Sequence, residues 1–254
     1  MAWLRKILDH KQTEIARLRA LPLPAPPALR PLALRRTAGQ PLRLIAEIKL
    51  RSPSAGPLST LLSVSERARC YERAGASMVS VLCDARFFDG AFEHLEQARS
   101  ACSLPILCKD FVIDEVQLDA ARAFGADAVL LIVRCLSEER LPLLVSAARE
   151  RGLEPFVEVT THEESRRALH AGAALVGVNA RDLDGLQMDP AQAAEVLSAL
   201  PKTLVRARFS GLGTPEAVRA LAESDADAAL VGEALMRRSD PEPFLKELAA
   251  AAGS

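Results

Sequence analysis

Six charged or amide side chains interrupt apolar, strand-like runs of the sequence, each close to the end of its run. The segment RLIAEIKLRSPSAG (43–56) carries Glu47 and Lys49 two residues apart, which in a strand places both side chains on the same face. The others are Lys109 in ILCKDF, Glu158 in PFVEV, and Asn179 and Arg181 in VGVNAR. Two lysines and two carboxylates that meet in one place could donate and accept protons, with strengths set by burial and by each other.

A structural role is the alternative for these charges. Glu47 with Lys49, and Lys109 with Glu158, could simply neutralise each other as buried ion pairs, because an unpaired charge is costly to bury. For a single pair, neither interpretation is favoured. Convergence of all six side chains on one place would favour chemistry over neutralisation.

The elements that must position these side chains repeat along the chain from residue 42 onward. Apolar strand candidates occur at 42–49, 78–84, 105–111, 128–134, 154–160, 175–181, 203–209 and 228–234. Amphipathic helix patterns separate them, which indicates parallel strands with helical crossovers. Eight such units in about 210 residues predict a (β/α)8 TIM barrel. An open doubly wound sheet is the alternative, but the GxGxxG fingerprint of dinucleotide binding does not follow the first strand.

In such a barrel the active site forms at the carboxyl ends of the strands, where the six side chains would meet. The loops after the seventh and eighth strands, in FSGLGTPEAV and LVGEALMRRSDPEPF, each place Gly between a strand and a helix. One such Gly more often marks a turn, but Gly at both strands favours a phosphate site of Ser210, Gly211, Gly232 and Glu233. Ser52, after the first strand, could add a hydroxyl donor, although a simple turn explains it nearly as well.

The first forty residues differ from the repeating part. Residues 2–20 carry apolar side chains at helical spacing, and the Pro-rich stretch LPLPAPPALRPLALRR (21–36) follows. We therefore expect a single (β/α)8 barrel domain over residues 1–254. In it, residues 1–40 form an N-terminal helical extension and a Pro-rich connector.

Composition argues against several classes of function. The chain has 254 residues, 49% of them hydrophobic and 26% charged, with a formal net charge of −1. This predicts a soluble globular protein without a broad surface for nucleic acid or membrane. The five cysteines lack CxxC spacing and the four histidines are scattered, so neither a disulfide framework nor a metal site is predicted. Because the N-terminus is charged throughout and no apolar run approaches about 20 residues, we expect a cytoplasmic protein.

Several motifs together resemble the indole-3-glycerol-phosphate synthase family of tryptophan biosynthesis. They are IAEIKLRSPSAG, SVLCDARFFDG, PILCKDFVIDEVQLDAARAFGADAVLLIV, EPFVEV, GVNARDL and LVGEALM. The resemblance implies a carboxy-lyase that closes 1-(2-carboxyphenylamino)-1-deoxyribulose 5-phosphate to indole-3-glycerol phosphate, with loss of CO2 and water. It implies a phosphosugar substrate and no cofactor. A monomer, a weak dimer and contact with other tryptophan-pathway enzymes all stay open.

The resemblance also implies a role for each candidate residue. Lys109 resembles the general acid that protonates the substrate carbonyl as the anilino ring attacks it, and Glu158 or Lys49 the group that helps to expel hydroxide. Lys49 would also hold the substrate carboxylate, with Glu47 orienting Lys49 and balancing its charge. The remaining assignments are Asn179 and Arg181 for substrate positioning, Phe88 and Phe111 for walls around the anthranilate ring, and Ser52, Ser210, Gly211, Gly232 and Glu233 for phosphate. Residues 1–40 and the loop after the first strand are expected to help cover the mouth.

One position departs from the family pattern. Family members usually have Glu before Ser-Gly at the end of the seventh strand, whereas this chain reads ARFSGLG, with Phe209 in place of that Glu. Alternation with Ala207 predicts that Phe209 points into the mouth, where it removes a carboxylate and adds apolar bulk close to Lys49. The chain could therefore be an active synthase, a low-activity ligand-binding homologue with a regulatory or assembly role, or a paralogue acting on a modified anthranilate. The retained polar set favours the first.

Overall fold

Eight parallel strands close into a barrel in the computed structural model, in which residues 2–53, 55–58 and 61–253 are described. The strands are β1 (Arg43–Ile48), β2 (Met78–Leu82), β3 (Ile106–Lys109), β4 (Ala128–Ile132), β5 (Glu154–Val159), β6 (Leu175–Asn179), β7 (Val205–Phe209) and β8 (Ala228–Val231). β1 pairs with β2 on one side and with β8 on the other, which completes the ring. The predicted (β/α)8 TIM barrel is confirmed.

The strands are buried on both faces. Every residue of MVSVL in β2 and of AVLLI in β4 is buried, because the inner side chains fill the barrel and the outer ones meet the surrounding helices. The inner layer includes Ile45, Met78, Leu107, Leu130, Phe156, Leu175, Ala207 and Leu230. All the predicted strands are present, each somewhat shorter than its apolar run because residues at one or both ends of the run belong to the loops.

Helices alternate with the strands and surround the barrel. They are α1 (Ala2–Leu18), α2 (Val64–Arg73), α3 (Glu93–Ala101), α4 (Glu115–Ala123), α5 (Arg140–Glu150), α6 (His162–His170), α7 (Pro190–Ala199), α8 (Pro215–Ala222) and α9 (Glu242–Ala252). Ser63 and Asp114 begin α2 and α4 with capping boxes, and Thr161 and Thr214 cap α6 and α8. These caps satisfy exposed backbone N–H groups and fix where each loop ends. Within the described ranges, no helix combines the length and apolarity needed to cross a bilayer.

Short elements at the carboxyl ends of the strands lie outside the sequence-based prediction. A small hairpin pairs Arg51–Ser52 with Gly56–Pro57 after β1, and four-residue helices, Ala85–Phe88 and Glu233–Met236, follow β2 and β8. Each is too short for its hydrophobic period to be read from the sequence. Together they shape the rim of the barrel mouth.

The N-terminal extension reaches both ends of the barrel. α1 lies at the carboxyl ends of β2 and β3, where Nζ of Lys11 contacts the carboxylates of Asp84 and Asp110. The Pro-rich connector then runs to the opposite end of the barrel. There the guanidinium groups of Arg35 and Arg36 donate to backbone carbonyls that precede β7 and β8.

Leu34 of the connector closes the amino-terminal end of the ring. Its side chain is 2% exposed and belongs to the cluster that fills the inside of the barrel. The prediction that residues 1–40 as a whole help to cover the mouth is wrong for the connector. Instead α1 lies at the mouth, and the connector lies at the opposite end of the barrel. Burial of the connector's apolar side chains against the open amino-terminal end of the barrel is favourable.

Leu34→Ala should lower the free energy of unfolding by about 2–4 kcal/mol, because it removes buried apolar area and leaves a cavity at the amino-terminal end of the barrel. Urea denaturation measures this change directly. The matched control is Leu21→Ala in the same connector, because the Leu21 side chain is 45% exposed. The control should change stability by less than about 0.5 kcal/mol. Equal losses in the two variants would show that Leu34 does not close the barrel.

Candidate active site

A cavity of about 410 Å³ opens at the carboxyl ends of the strands. Every candidate residue from the sequence lines it: Glu47, Lys49, Ser52, Phe88, Lys109, Phe111, Glu158, Asn179, Arg181, Ser210, Gly211, Gly232 and Glu233. The fold therefore brings together residues that are up to 186 positions apart in the chain, from Glu47 to Glu233. Their chemical roles stay predictions.

Glu47 is the central charge of the cavity. Its Oε1 lies 2.9 Å from Nζ of Lys49, and its Oε2 lies 3.7 Å from Nζ of Lys109. Burial alone would raise the pKa of Glu47, but the two ammonium groups outweigh it and hold that pKa below its ordinary value. The sequence also suggested an ion pair between Lys109 and Glu158. Among the described residues Lys109 pairs with Glu47 instead.

Gly232 makes room for this carboxylate. A Cβ atom at Gly232 would lie 2.3 Å from Oε1 of Glu47, far inside van der Waals contact. The sequence suggested that this glycine matters for a phosphate loop. The structure adds a second reason for it, since only a residue without a side chain lets the Glu47 carboxylate lie where both lysines reach it.

Glu158 lies at the end of β5 with one carboxylate oxygen bound and one open. Oε1 accepts a hydrogen bond of 2.9 Å from Nδ2 of Asn179, while Oε2 is buried without a hydrogen-bond partner among the described residues. Burial raises the pKa of Glu158, and the nearby Lys109 and Asn179 offset this only in part. Glu158 therefore keeps its proton at higher pH than an ordinary carboxyl, and can donate it.

Asn179 links Glu158 to the loop after β7. Its Oδ1 accepts from the Ser210 hydroxyl at 2.8 Å and from the backbone N–H of Arg181 at 3.0 Å. These contacts fix which end of the amide faces Glu158. A serine hydroxyl has one proton to donate, and in Ser210 it is directed to Asn179. A contact between Ser210 and phosphate would therefore use the backbone N–H.

The loop after β8 contains a carboxylate, which is unfavourable next to a phosphate unless it is neutralised. Glu233 is neutralised by Arg237 one helical turn later, whose Nε and Nη2 lie 3.0 and 2.8 Å from Oε1. Arg237 also lines the cavity. Sequence reasoning missed it, although the spacing of four residues between Glu and Arg was a signal for such a pair.

Aromatic side chains form one wall of the cavity. The ring centroids of Phe88 and Phe111 are 6.1 Å apart, and the indole of Trp3 meets Phe88 edge-on at 6.5 Å. Trp3 comes from α1, so the extension contributes directly to the lining. Trp3 was not predicted as a site residue, although the only Trp of the chain at the start of an amphipathic helix was a usable signal.

The loop after β6 forms the opposite wall. Asp182 accepts from two backbone N–H groups within the loop and pairs with Arg134 from the loop after β4. The loop held in this way places Leu183 and Leu186 in the lining, and the Leu186 carbonyl accepts from Arg181 at 3.3 Å. These apolar residues carried no sequence signal, because their position depends on the shape of an irregular loop.

Phe209 points into the barrel, as the alternation along β7 predicted. Its side chain is 1% exposed, and its ring meets Phe156 edge-on with centroids 5.1 Å apart. The tip of the ring lies over Gly177, where a Cβ would be 2.5 Å away. Phe209 therefore extends towards β5 and β6 and forms part of the apolar floor beneath the polar residues.

A sequence profile described as indole-3-glycerol phosphate synthase matches residues 4–248 of the chain. The chain belongs to the indole-3-glycerol phosphate synthase family. An indole-3-glycerol phosphate synthase of Exiguobacterium sp. is 40% identical over 248 residues, which cover 98% of this chain and 96% of that protein. Indole-3-glycerol phosphate synthase 2 of Streptomyces coelicolor is 46% identical over 234 residues, which cover 92% of this chain and 90% of that protein.

Solved structures of other proteins share the fold of this synthase family member. Thiamine phosphate pyrophosphorylase from Pyrococcus furiosus aligns with a TM-score of 0.64 and 16% identity, covering 83% of this chain and 95% of that chain. For 3-hexulose-6-phosphate synthase from Salmonella typhimurium the TM-score is 0.66 at 14% identity, with coverage of 83% and 98%. At these identities the similarity concerns the barrel alone.

Gly232→Ala should lower turnover of the family's substrate by about 10²-fold, because the added methyl group displaces the Glu47 carboxylate and with it both lysines. Steady-state kinetics on the purified variant measures the loss. Gly213→Ala is the matched control in the preceding loop, since its Cβ would lie an ordinary 3.5 Å from Cβ of Ala234. If both variants lost activity equally, the close approach to Glu47 would not be the cause.

Glu158→Gln should make the protein more stable near neutral pH. The raised pKa of Glu158 means that the unfolded chain loses this proton at lower pH than the folded one. Stability therefore falls as the pH rises from the ordinary value of about 4.3 towards the folded value, and stays lower above it. We therefore expect the variant to have a larger free energy of unfolding than the parent protein at neutral pH.

Urea denaturation of Glu158→Gln and the parent protein across this pH range measures the difference. It should vanish in acid, where Glu158 is neutral in both folded and unfolded states. A variant that is less stable at every pH would contradict the assignment of an energetically unfavourable buried charge to this position.

Proposed function

We propose that the protein is an indole-3-glycerol-phosphate synthase that closes 1-(2-carboxyphenylamino)-1-deoxyribulose 5-phosphate to indole-3-glycerol phosphate. The observation that carries the proposal is the buried carboxylate of Glu47 holding Lys49 and Lys109 in one cavity with a second buried carboxylate, Glu158. Relatives named for this activity are 40% to 46% identical over most of the chain.

The order of strands around the barrel supports one orientation of the substrate. The loops after β7 and β8 carry Gly211 and Gly232, and the aromatic wall of Phe88 and Phe111 follows β2 and β3. β1, with Glu47 on it, lies between these two regions. The phosphate binds at the first region and the anthranilate ring at the second, which places the sugar carbonyl near the lysines.

Lys109 donates a proton to the carbonyl oxygen while the ring carbon that bears the carboxylate attacks the carbonyl carbon. The new carbon–carbon bond forms, and the carbonyl becomes a hydroxyl group. Loss of CO2 then returns the bonding electron pair to the ring. A second proton lets the hydroxyl leave as water, and loss of one carbon-bound proton completes the indole, so one proton is consumed overall. Each transfer needs a group within hydrogen-bond reach of its target.

Glu158 is better suited than Lys49 to give the second proton. Its pKa is raised by burial, and its Oε2 has no hydrogen-bond partner among the described residues. Lys49 is held at 2.9 Å by Glu47, closer than the 3.7 Å of Lys109, which suits an ammonium group that binds the substrate carboxylate. Asn179 and Arg181 position the sugar between them.

Phe209 leaves the polar set in place, which supports catalysis over a purely ligand-binding role. Its ring packs on Phe156, below the residues that move protons. It replaces a supporting carboxylate with an apolar floor, and Glu158 remains as the proton donor at the end of β5. We further propose that the enzyme works in the cytoplasm as a monomer or weak dimer, since the residues of one chain complete the cavity.

The test is turnover of the carboxyphenylamino-deoxyribulose phosphate, followed by the fluorescence of the indole product, for the parent protein, Lys109→Met and Phe209→Glu. The parent protein should be active, and Lys109→Met should lose about 10²–10⁴-fold in kcat because its general acid is gone. Phe209→Glu should lower stability and bring no gain in kcat, since it buries an unpaired carboxylate. An inactive parent protein that gains activity through Phe209→Glu would overturn the proposal.

A further inference from the structure

Lys11 of α1 is a fully buried lysine enclosed by carboxylates. Its side chain is 0% exposed, and its Nζ lies 2.6 Å from Oε2 of Glu14, 2.8 Å from Oδ2 of Asp84 and 2.6 Å from Oδ1 of Asp110. Burial would lower the pKa of Lys11, but these carboxylates outweigh it and the lysine stays charged. The function proposed above does not use this cluster.

The two aspartates bound to Lys11 differ in their position relative to the active-site cavity. Both are buried and both follow barrel strands, Asp84 after β2 and Asp110 after β3. Asp84 caps the short helix after β2 by accepting from the Phe87 backbone N–H at 2.7 Å. Asp110 lines the active-site cavity and directly follows Lys109 in the chain.

We propose that Lys11 is a positioning residue for Lys109: it binds the carboxylate of Asp110, so that this carboxylate does not pair with the Lys109 ammonium. The inference rests on the proposed function, in which Lys109 donates a proton to the substrate. A buried carboxylate without its partner must find another cation, because leaving it unpaired is costly. Lys109 is the neighbour of Asp110 in the chain, and both residues line the cavity.

The groups that face Lys109 show why this matters. Glu47 on β1 contacts it at 3.7 Å, and this carboxylate is already shared with Lys49 at 2.9 Å. Glu158 on β5 is close enough for Lys109 to lower its pKa. The Lys109 ammonium is thus held loosely and can turn towards the substrate. A direct pair with Asp110 would hold it at the wall of the cavity.

On the other side, the cluster around Lys11 is closed by groups of α1 and the loop after β2. Glu14 also lies 3.3 Å from Nε2 of His10, and Nδ1 of His10 lies 3.5 Å from Arg86. Burial is the main cause that raises the pKa of Glu14. The extension thus supplies Lys11 from α1, and His10 of the same helix contacts Arg86 at the rim of the barrel.

The experiment compares Lys11→Met with the double variants Lys11→Met/Asp110→Asn and Lys11→Met/Asp84→Asn. Each double variant removes one of the two buried aspartates that lose the same cation, so both should regain similar stability. Lys11→Met should lower kcat by about tenfold or more, with KM little changed, because the proton donor is held away from the substrate. Asp110→Asn should restore most of kcat in this background, whereas Asp84→Asn should not.

A second readout needs no turnover. The rate at which an N-hydroxysuccinimide ester acylates Lys109, followed by peptide mass spectrometry, reports whether its amine is free. The rate should fall in Lys11→Met and recover only in the double variant with Asp110→Asn. If the single variant does not fold, the two double variants are compared with each other and with the parent protein.

The outcomes separate this inference from the proposed function. An inactive parent protein contradicts the function, while the acylation rates still decide the role of Lys11. Equal recovery of kcat and of labelling in both double variants would mean that Lys11 only stabilises the fold. An unchanged kcat in Lys11→Met, in an otherwise active enzyme, would overturn the inference.

Discussion

The bridge from the Glu47 carboxylate to the ammonium groups of Lys49 and Lys109 fixes the arrangement at the mouth of the barrel. The ammonium group of Lys49, just after β1, and that of Lys109, at the end of β3, share one buried acceptor. Such an arrangement is stable only because each charge has a partner, since any one of them alone would be costly to bury. The absent side chain at Gly232 follows from the same requirement, because a Cβ atom there would collide with the Glu47 carboxylate.

Around this bridge the site divides into a polar half and an apolar half. Asn179 connects Glu158 to Ser210 through hydrogen bonds of 2.9 and 2.8 Å, so the polar groups form a continuous network from β5 to the loop after β7. Phe209 and Phe156 lie beneath it and exclude water from the barrel interior. A carboxyl above an apolar floor holds its proton more strongly, which is the condition that a proton donor needs.

The sequence predicted the fold and the cavity better than it predicted the contacts. Strands buried on both faces and capped helices are encoded in local patterns, so the barrel and the placement of Lys109 or Glu158 at its mouth could be predicted. The choice of ion-pair partners could not be predicted from the sequence. Lys109 pairs with Glu47 and not with Glu158. Pairing across a barrel depends on side-chain torsion angles, which the hydrophobic period of a sequence does not describe. Lys11 was missed because helical charges usually face solvent.

The connector between α1 and β1 imposes an order on the formation of the molecule. Arg35 and Arg36 bond to carbonyls of Thr203 and Ser224, 168 and 188 residues further along the chain. During synthesis Arg35 and Arg36 leave the ribosome long before the carbonyl groups at β7 and β8 to which they bond. These two arginines therefore lack their native partners while most of the barrel is synthesised. Their docking closes loops of very long range in the chain. Arg35 and Arg36 are therefore among the last residues of the first half of the chain to reach their native contacts.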